Sequence, residues 1–296
     1  MKRILTLVST VGAALGLASA SAQAGTVAYF NFSDGVDGQE VNPTGSSGAT
    51  GSMTVNGGGD GSNGMVAWSL AASPNFTTSV VAPTPYANTT ALSFAGGNDL
   101  YQSNPAASTL SNTVFTNFTV EAYVRFNNLA GWQTFVGRDD SGNPGSGVGP
   151  TSLLYLAKSG ANNGFRVELI TAANTSIQVN STFVPTVGEW NHVAAVGDAV
   201  AGTLTLFVDG VSVGSTTGFN GLLSGIVSSW TIGRGQYGGS PGDTVNGYID
   251  EVRISDVALA PSQFLSAAIP APSSFAAIVG ALGLAFAASR RRRVSA

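Results

Sequence analysis

The sequence predicts an all-β sandwich. Apolar residues alternate over short runs, those runs are bounded by Gly, Ser, Thr, Asn and Asp, and sustained helical periodicity is nearly absent. A third observation concerns size: with the terminal segments described below set aside, residues 25–269 remain, within the length that one large sandwich occupies.

In chain order, residues 26–32 place Ala28, Phe30 and Phe32 on one side of an extended segment. Residues 34–64 are rich in Gly, Asn and Ser with few large apolar side chains, which predicts a long surface loop. Strands are expected at 91–94 and at 118–126, where Phe118, Val120, Ala122, Val124 and Phe126 share a face. Further strands are expected at 133–138, 152–157, 165–171, 176–180, 190–196, 230–233 and 248–254, with a second loop at 139–149. Residues 203–213, TLTLFVDGVSV, set Asp209-Gly210 between two strand-like runs, the residue pair that a two-residue hairpin prefers. A helix longer than one turn is expected only at 261–266, where Pro261 suits a first helical position.

Charge narrows the partners. All 16 acidic residues lie within 25–269, whereas six of the 12 basic ones lie outside it, so this body carries a formal charge of −10 rather than the −4 of the whole chain. Lys158 and five scattered arginines offer no basic patch for phosphates, which argues against nucleic acid. Cysteine is absent, excluding disulfides and thiol chemistry, and the fold has to rest on its apolar core.

Both ends carry export signals. Lys2 and Arg3 precede an apolar run at 4–17 and the small-residue site Ala22-Gln23-Ala24, so residues 1–24 are expected to be a secretory signal peptide cut after Ala24. At the other end, Pro270-Ala271-Pro272 precedes an uncharged run at 275–288 and four arginines at 290–293, which oppose translocation and stay on the cytoplasmic side. The run of 14 is shorter than the roughly 20 residues that span a bilayer, although 22 uncharged residues run back to Ala267. This layout, residues 270–296, resembles the bacterial PEP-CTERM sorting signal, with Ala271 where that family has Glu. The resemblance implies recognition by a membrane-embedded exosortase and cutting near Pro270 and Pro272. A plain C-terminal membrane anchor is the other reading. Either places the body outside the cytoplasm, at the cell surface, outer envelope or extracellular matrix.

The ordered motifs VAYFNFSDG (27–35), ALSFAGGNDLY (91–101), FTVEAYVRF (118–126), EWNHVAAV (189–196), GTLTLFVDGVSVG (202–214) and NGYIDEVRISDVALAPSQF (246–264) resemble the concanavalin A-like, laminin G-like jelly roll. That resemblance implies two stacked antiparallel sheets and a binding function toward glycans, proteins or calcium. It also implies a structural calcium on Asp250 beside the first strand. If the first and last strands pair, Asp34 is the nearest second carboxylate and Gly35 a carbonyl donor. Local hydrogen bonding is the alternative role of Asp250, and turn formation that of Asp34.

Catalytic signals are weak. No strand carries the Glu/Asp cluster that sets two carboxylates about 5 Å apart for retaining glycoside hydrolysis. Glu121 and Glu168 read as charge partners on solvated sheet faces, and His192, the single histidine, as a packed or hydrogen-bonded residue. For glycan binding, Trp132 is the leading candidate, an aromatic in a loop before a strand. Arg138 and Asp139 are expected to begin a loop at the same rim, and Tyr237 lies in a Gly-rich loop. Packing at a sandwich edge is the alternative for each. Trp190 and Trp230 are expected in the core. The function expected is non-catalytic binding of extracellular polysaccharide or envelope polymer by a calcium-stabilised domain. The rivals are a structural or adhesive protein that binds protein or itself, and a cryptic polysaccharide lyase or glycoside hydrolase using Glu121 or His192.

Overall fold

The computed structural model describes residues 25–32, 65–69, 74–102, 109–139, 152–226, 228–237 and 240–267. Asp34, Gly35, Ala22, Ala24, Pro270 and Pro272, and both terminal segments, lie outside the described residues.

The strands are β1 (Thr26–Phe30), β2 (Met65–Ser69), β3 (Asn75–Thr77), β4 (Ala91–Ala95), β5 (Asn98–Gln102), β6 (Phe118–Phe126), β7 (Gln133–Asp139), β8 (Ser152–Lys158) and β9 (Phe165–Ile170). They continue with β10 (Ser176–Asn180), β11 (Asn191–Asp198), β12 (Thr203–Val208), β13 (Val211–Thr217), β14 (Ser229–Ile232), β15 (Gly235–Tyr237), β16 (Ser240–Gly242) and β17 (Asn246–Ser255). A single helical turn, α1 (Thr109–Asn112), precedes β6. The helix expected at 261–266 is only a 3-10 turn, Pro261–Gln263.

Two antiparallel sheets stack face to face. The first runs β13-β12-β11-β6-β17-β4-β3 with β1 also on β17, and the second runs β10-β9-β8-β7-β14-β5-β2. First and last strands pair, Phe30 opposite Val252. The Asp209-Gly210 hairpin forms as expected, with φ of 50° and 78° at the two residues, the left-handed pair that a type I′ turn requires.

Alternation decides which side chains fill the sandwich. Phe118, Val120, Ala122, Val124 and Phe126 of β6 face inward and are buried, as are Phe135, Val167, Leu169, Trp230 and Ile232 of the facing sheet. Rings of the two sheets meet edge to face, Phe126 lying 6.4 Å from Phe135, and Phe118 meets Phe219, in the segment after β13, at 5.4 Å. Trp230 is core as expected, whereas Trp190 is only half-buried, packed 6.4 Å from Tyr248 on the outer side of the first sheet.

That outer side is covered too, which overturns the solvated-face expectation for Glu121. The segment after β17 folds back across β6: Thr119 Oγ1 donates to Val257 O at 2.8 Å and accepts from Leu259 N at 2.9 Å. Glu121 and His192 thereby become fully buried.

Candidate functional site

On β9 the inward residues are Phe165, Val167 and Leu169, so Arg166 and Glu168 project from the outer face of the second sheet. They form an ion pair, as the sequence reading expected for Glu168. The Arg166 guanidinium lies 5.1 Å from the centre of the Trp132 ring, a cation–π arrangement. Trp132 itself is 38% exposed. Across the adjoining edge of the sheet, β10 presents the exposed Ser176, Gln178 and Asn180, with Gln178 opposite Glu168 and Asn180 opposite Arg166.

The loop bearing Trp132 is held firmly. Lys158 Nζ donates to Leu129 O at 2.7 Å, to Gly131 O, and to Asn163 Oδ1 at 3.3 Å. Burial lowers the pKa of this ammonium. Gln133 Nε2 adds a 2.9 Å bond to Asn128 O, and a Cβ on Gly160 would stand 2.7 Å from the indole, so glycine there lets the ring lie down on the neighbouring turn. A platform fixed in this way gives up little conformational freedom when a ligand stacks on it.

The other three candidate ligand residues are placed differently from expectation. Arg138 and Asp139 do not start a loop: they end β7, about 20 Å from Trp132 at 3.3 Å per residue, and both are buried. Asp139 faces outward under the β15–β16 ribbon, accepting from Tyr155 Oη at 2.7 Å and pairing with Arg234 Nη2 at 3.2 Å. The ribbon lies close on this face, since a Cβ on Gly235 would meet Thr134 Oγ1 at 2.7 Å. Tyr237 falls on β15 within it, opposite Ser240. Arg138, one residue before Asp139, points the opposite way, between Phe115 and Trp230. Asp243, which no local sequence pattern singles out, follows the ribbon, and its pKa is raised by burial and by the charge of Glu168. It thus stands near the Arg166–Glu168 pair, a position that strand alternation alone does not reveal.

Asp250 occupies a discontinuity in the first sheet. Along one edge of β17, residues Asn246 to Ile249 pair with β4 and residues Val252 to Ser255 pair with β1, leaving Asp250 and Glu251 between partners. A bulge in the pairing with β6 falls at the same place, with Glu251 at φ 53°. The Asp250 carboxylate is fully buried. Its Oδ2 accepts from Asn88 Nδ2 at 2.8 Å and from Ala82 N at 3.1 Å. Its Oδ1 has no hydrogen-bond partner, and neither does the buried Oδ1 of Asn88. Desolvation pushes the Asp250 carboxyl up to about 8 against the opposing hydrogen bonds from Asn88 and Ala82. Burial likewise pushes Glu251 up to about 7, offset by hydrogen bonds from Tyr29 and Tyr86. With Asp250 ionised, its Oδ1 and Asn88 Oδ1 are two buried acceptors without partners, on side chains already joined to each other; they suit a hard cation that takes oxygen ligands, whose charge would hold the carboxyl ionised against its desolvation. The described residues hold no group of three acidic, His or Cys side chains, so carbonyl and amide oxygens would complete the shell. Within those terms Asp250 and Asn88 fit calcium. The first and last strands do pair, the condition on which Asp34 and Gly35 were expected to contribute; both of those residues lie outside the described residues.

Glu121 and His192 form an enclosed polar cluster. Glu121 Oε1 accepts from Arg253 Nε at 2.6 Å, while Oε2 lies 2.7 Å from His192 Nε2 and accepts from Leu265 N at 2.9 Å. His192 Nδ1 lies 3.1 Å from Ser266 Oγ, and Arg253 Nη2 donates to Gln263 O at 2.7 Å. Burial pushes the Glu121 carboxyl up, but the His192 hydrogen bond, the charges of His192 and Arg253 and the Leu265 amide together hold it below the ordinary glutamate value. The arrangement fastens the 257–267 segment to the sheet and leaves neither Glu121 nor His192 open to a substrate.

Fold and site together define a lectin-like β-sandwich whose second sheet carries an exposed indole beside a row of polar side chains on its outer face. The chain belongs to the concanavalin A-like lectin/glucanases superfamily, whose laminin G-type family model matches residues 94–263, more than half of its length. Among solved structures it is similar to domain 4 of AbnA, an extracellular arabinanase from Geobacillus stearothermophilus, in complex with arabinotriose. The identity is 17% over 82% of this chain and 97% of that one, with a TM-score of 0.52. It is also similar to the sialidase module CBM40 from Ruminococcus gnavus bound to α2,3-sialyllactose (14% identity, 60% and 95% covered, TM-score 0.49). A third likeness is the heptameric pentraxin of Limulus polyphemus (17% identity, 52% and 69% covered, TM-score 0.40). At these identities the arabinanase domain shows the fold. No curated protein matches the chain.

Proposed function

We propose that this chain is an exported, non-catalytic glycan-binding module that takes extracellular polysaccharide on the outer face of its second sheet. The observation that carries the reading is Trp132: an exposed indole on a clamped loop, backed by Arg166 and followed by the polar row of Glu168, Gln178 and Asn180. Sugar rings present a C–H face to an aromatic and hydroxyls to neighbouring polar groups, and this surface offers both side by side. Membership of a superfamily of lectins and glucanases supports the ligand class. Calcium on Asp250 and Asn88 holds the joint between the first and last strands. The signal-peptide layout at 1–24 and the PEP-CTERM-like layout at 270–296 support delivery to the cell surface or matrix, with an exosortase-type enzyme and the membrane as processing partners.

The test is a glycan array in calcium followed by affinity electrophoresis of Trp132→Ala. Retention by at least one polysaccharide is expected, with at least tenfold weaker affinity in the variant, about 1.4 kcal/mol or more. Absence of retention across the array, or retention untouched by the substitution, refutes the assignment. The adhesive alternative draws on exposed Phe183, Val184 and Val187 in the loop after β10. It predicts self-association in calcium that sugar does not compete.

A further inference from the structure

A pocket opens at the opposite end of β7 from Trp132. Its volume is about 310 Å³, and its walls are Ser111, Asn112 and Thr113 on one side and Ser224 and Ile226 on the other, with Arg138 at the base. That volume lies at the lower end of the range for small-molecule sites. The base is unusual in its charge. Arg138 is 1% exposed, and its guanidinium bonds Ser228 Oγ at 2.8 Å, Ser111 O at 3.3 Å and Leu223 O at 3.4 Å, all neutral oxygens. Phe115 and Trp230 flank it, and its neighbour Asp139 is turned to the other face of the sheet, paired with Arg234. Among the described residues no carboxylate lies within ion-pair distance of it. Burial without a counter-charge pushes the guanidinium down to about 10, still fully charged at neutral pH. Holding an uncompensated cation out of water costs free energy, and a bound anion removes that cost.

We propose that this end pocket binds the carboxylate of an acidic sugar residue, a hexuronic acid, directed at Arg138 in its base. The walls decide the rest of the ligand. Serine, threonine and asparagine groups suit the hydroxyls of a polyol, and Val114 and Ile226, 65% and 39% exposed at the mouth, suit the C–H face of a sugar ring. A carboxylate matches the planar donor fork of arginine better than a spherical anion does. The site is independent of the Trp132 face.

The experiment is an NMR titration of the ¹⁵N-labelled full chain with sodium glucuronate, in parallel with glucose and with sodium acetate. Saturable shifts are expected at the amides of Asn112 to Val114 and Ser224 to Ile226 with glucuronate, at least tenfold weaker binding of acetate, no saturation with glucose, and weakening by added salt. Arg138→Gln should abolish the response. Because that change alters a buried bond network, Ser224→Trp provides a second arm: the position is exposed and lines the pocket, so an indole there is expected to obstruct it while the core stays unchanged. It should lower affinity at least tenfold. Equal response to glucose and glucuronate, acetate binding as tight as glucuronate, or undiminished binding in Ser224→Trp overturns the proposal. The Trp132 indole signal reports the sheet face separately in the same spectra, so failure of one site is distinguishable from failure of the other.

Discussion

Replacing Glu121 with Gln removes one negative charge from a cluster that has no access to water. The carboxylate is fully buried, accepts from Arg253 and Leu265, and lies 2.7 Å from His192. A glutamine keeps one acceptor oxygen, but its amide nitrogen then faces the Leu265 N–H or the Arg253 guanidinium, donor against donor, and the buried Arg253 loses the Glu121 carboxylate it pairs with. Breaking a buried pair in this way costs about 3–5 kcal/mol. For a folded body of this size each kcal/mol shifts Tm by about 2–4 °C, so a fall of about 6–20 °C at pH 7 is expected in calorimetry of the full chain. The pH dependence has a definite sign. The folded pKa of Glu121 lies below its ordinary value, so its stabilising contribution is fully present above the unfolded value, about 4.3, and is lost as pH falls through the folded value. The gap in Tm between wild type and variant should therefore be widest at neutral pH and narrow in acid. A loss under 2 °C at pH 7, or a gap that widens as pH falls, refutes this account of the cluster. Since Leu265 and Gln263 hang on the same groups, limited proteolysis should also cut the 257–267 segment faster in the variant.

Calcium at one hundred times its Kd should stabilise the chain by about 2.7 kcal/mol, raising Tm by about 5–11 °C. Asp250→Asn should abolish the rise and Asn88→Ala reduce it, and an EDTA-treated protein whose melting ignores added calcium would contradict the assignment. Gly197 of β11 lies against the core rings, where a Cβ would meet Phe118 at 2.3 Å and Phe219 at 2.6 Å. Gly197→Ala should lower the urea midpoint by an amount equivalent to about 1–3 kcal/mol, with unchanged m-value. An unshifted midpoint would mean that the two rings part without cost.

Much of the molecule can be read from neighbouring residues alone. Alternation assigned the inward face of β6, placed Arg166 and Glu168 together on the outer face of β9, and the Asp209-Gly210 pair defined the β12–β13 turn. It failed where a second layer covers a face. Glu121 has the outward position of a solvated residue, and only the returning 257–267 segment makes it buried. Arg138-Asp139 read as loop because the pair is charged and followed by Ser, Gly and Asn, yet partners far along the chain, Ser228 for one and Tyr155 and Arg234 for the other, make both tolerable inside. Nothing local marks Asn88 as the partner of Asp250, 162 positions away.

Sequence by itself determined the all-β class, the acidic charge of residues 25–269, and the outward facing of Arg166 and Glu168 on β9. These depend on side-chain period, turn chemistry and charge, which act over a few residues. Tertiary structure alone decided that Arg138 and Asp139 are both buried, that Asp250 sits where β17 changes partners, and that residues 121, 192, 253 and 265 converge. Those outcomes rest on which strands lie side by side and what covers them, and the burial that follows sets the charge state and accessibility of each group.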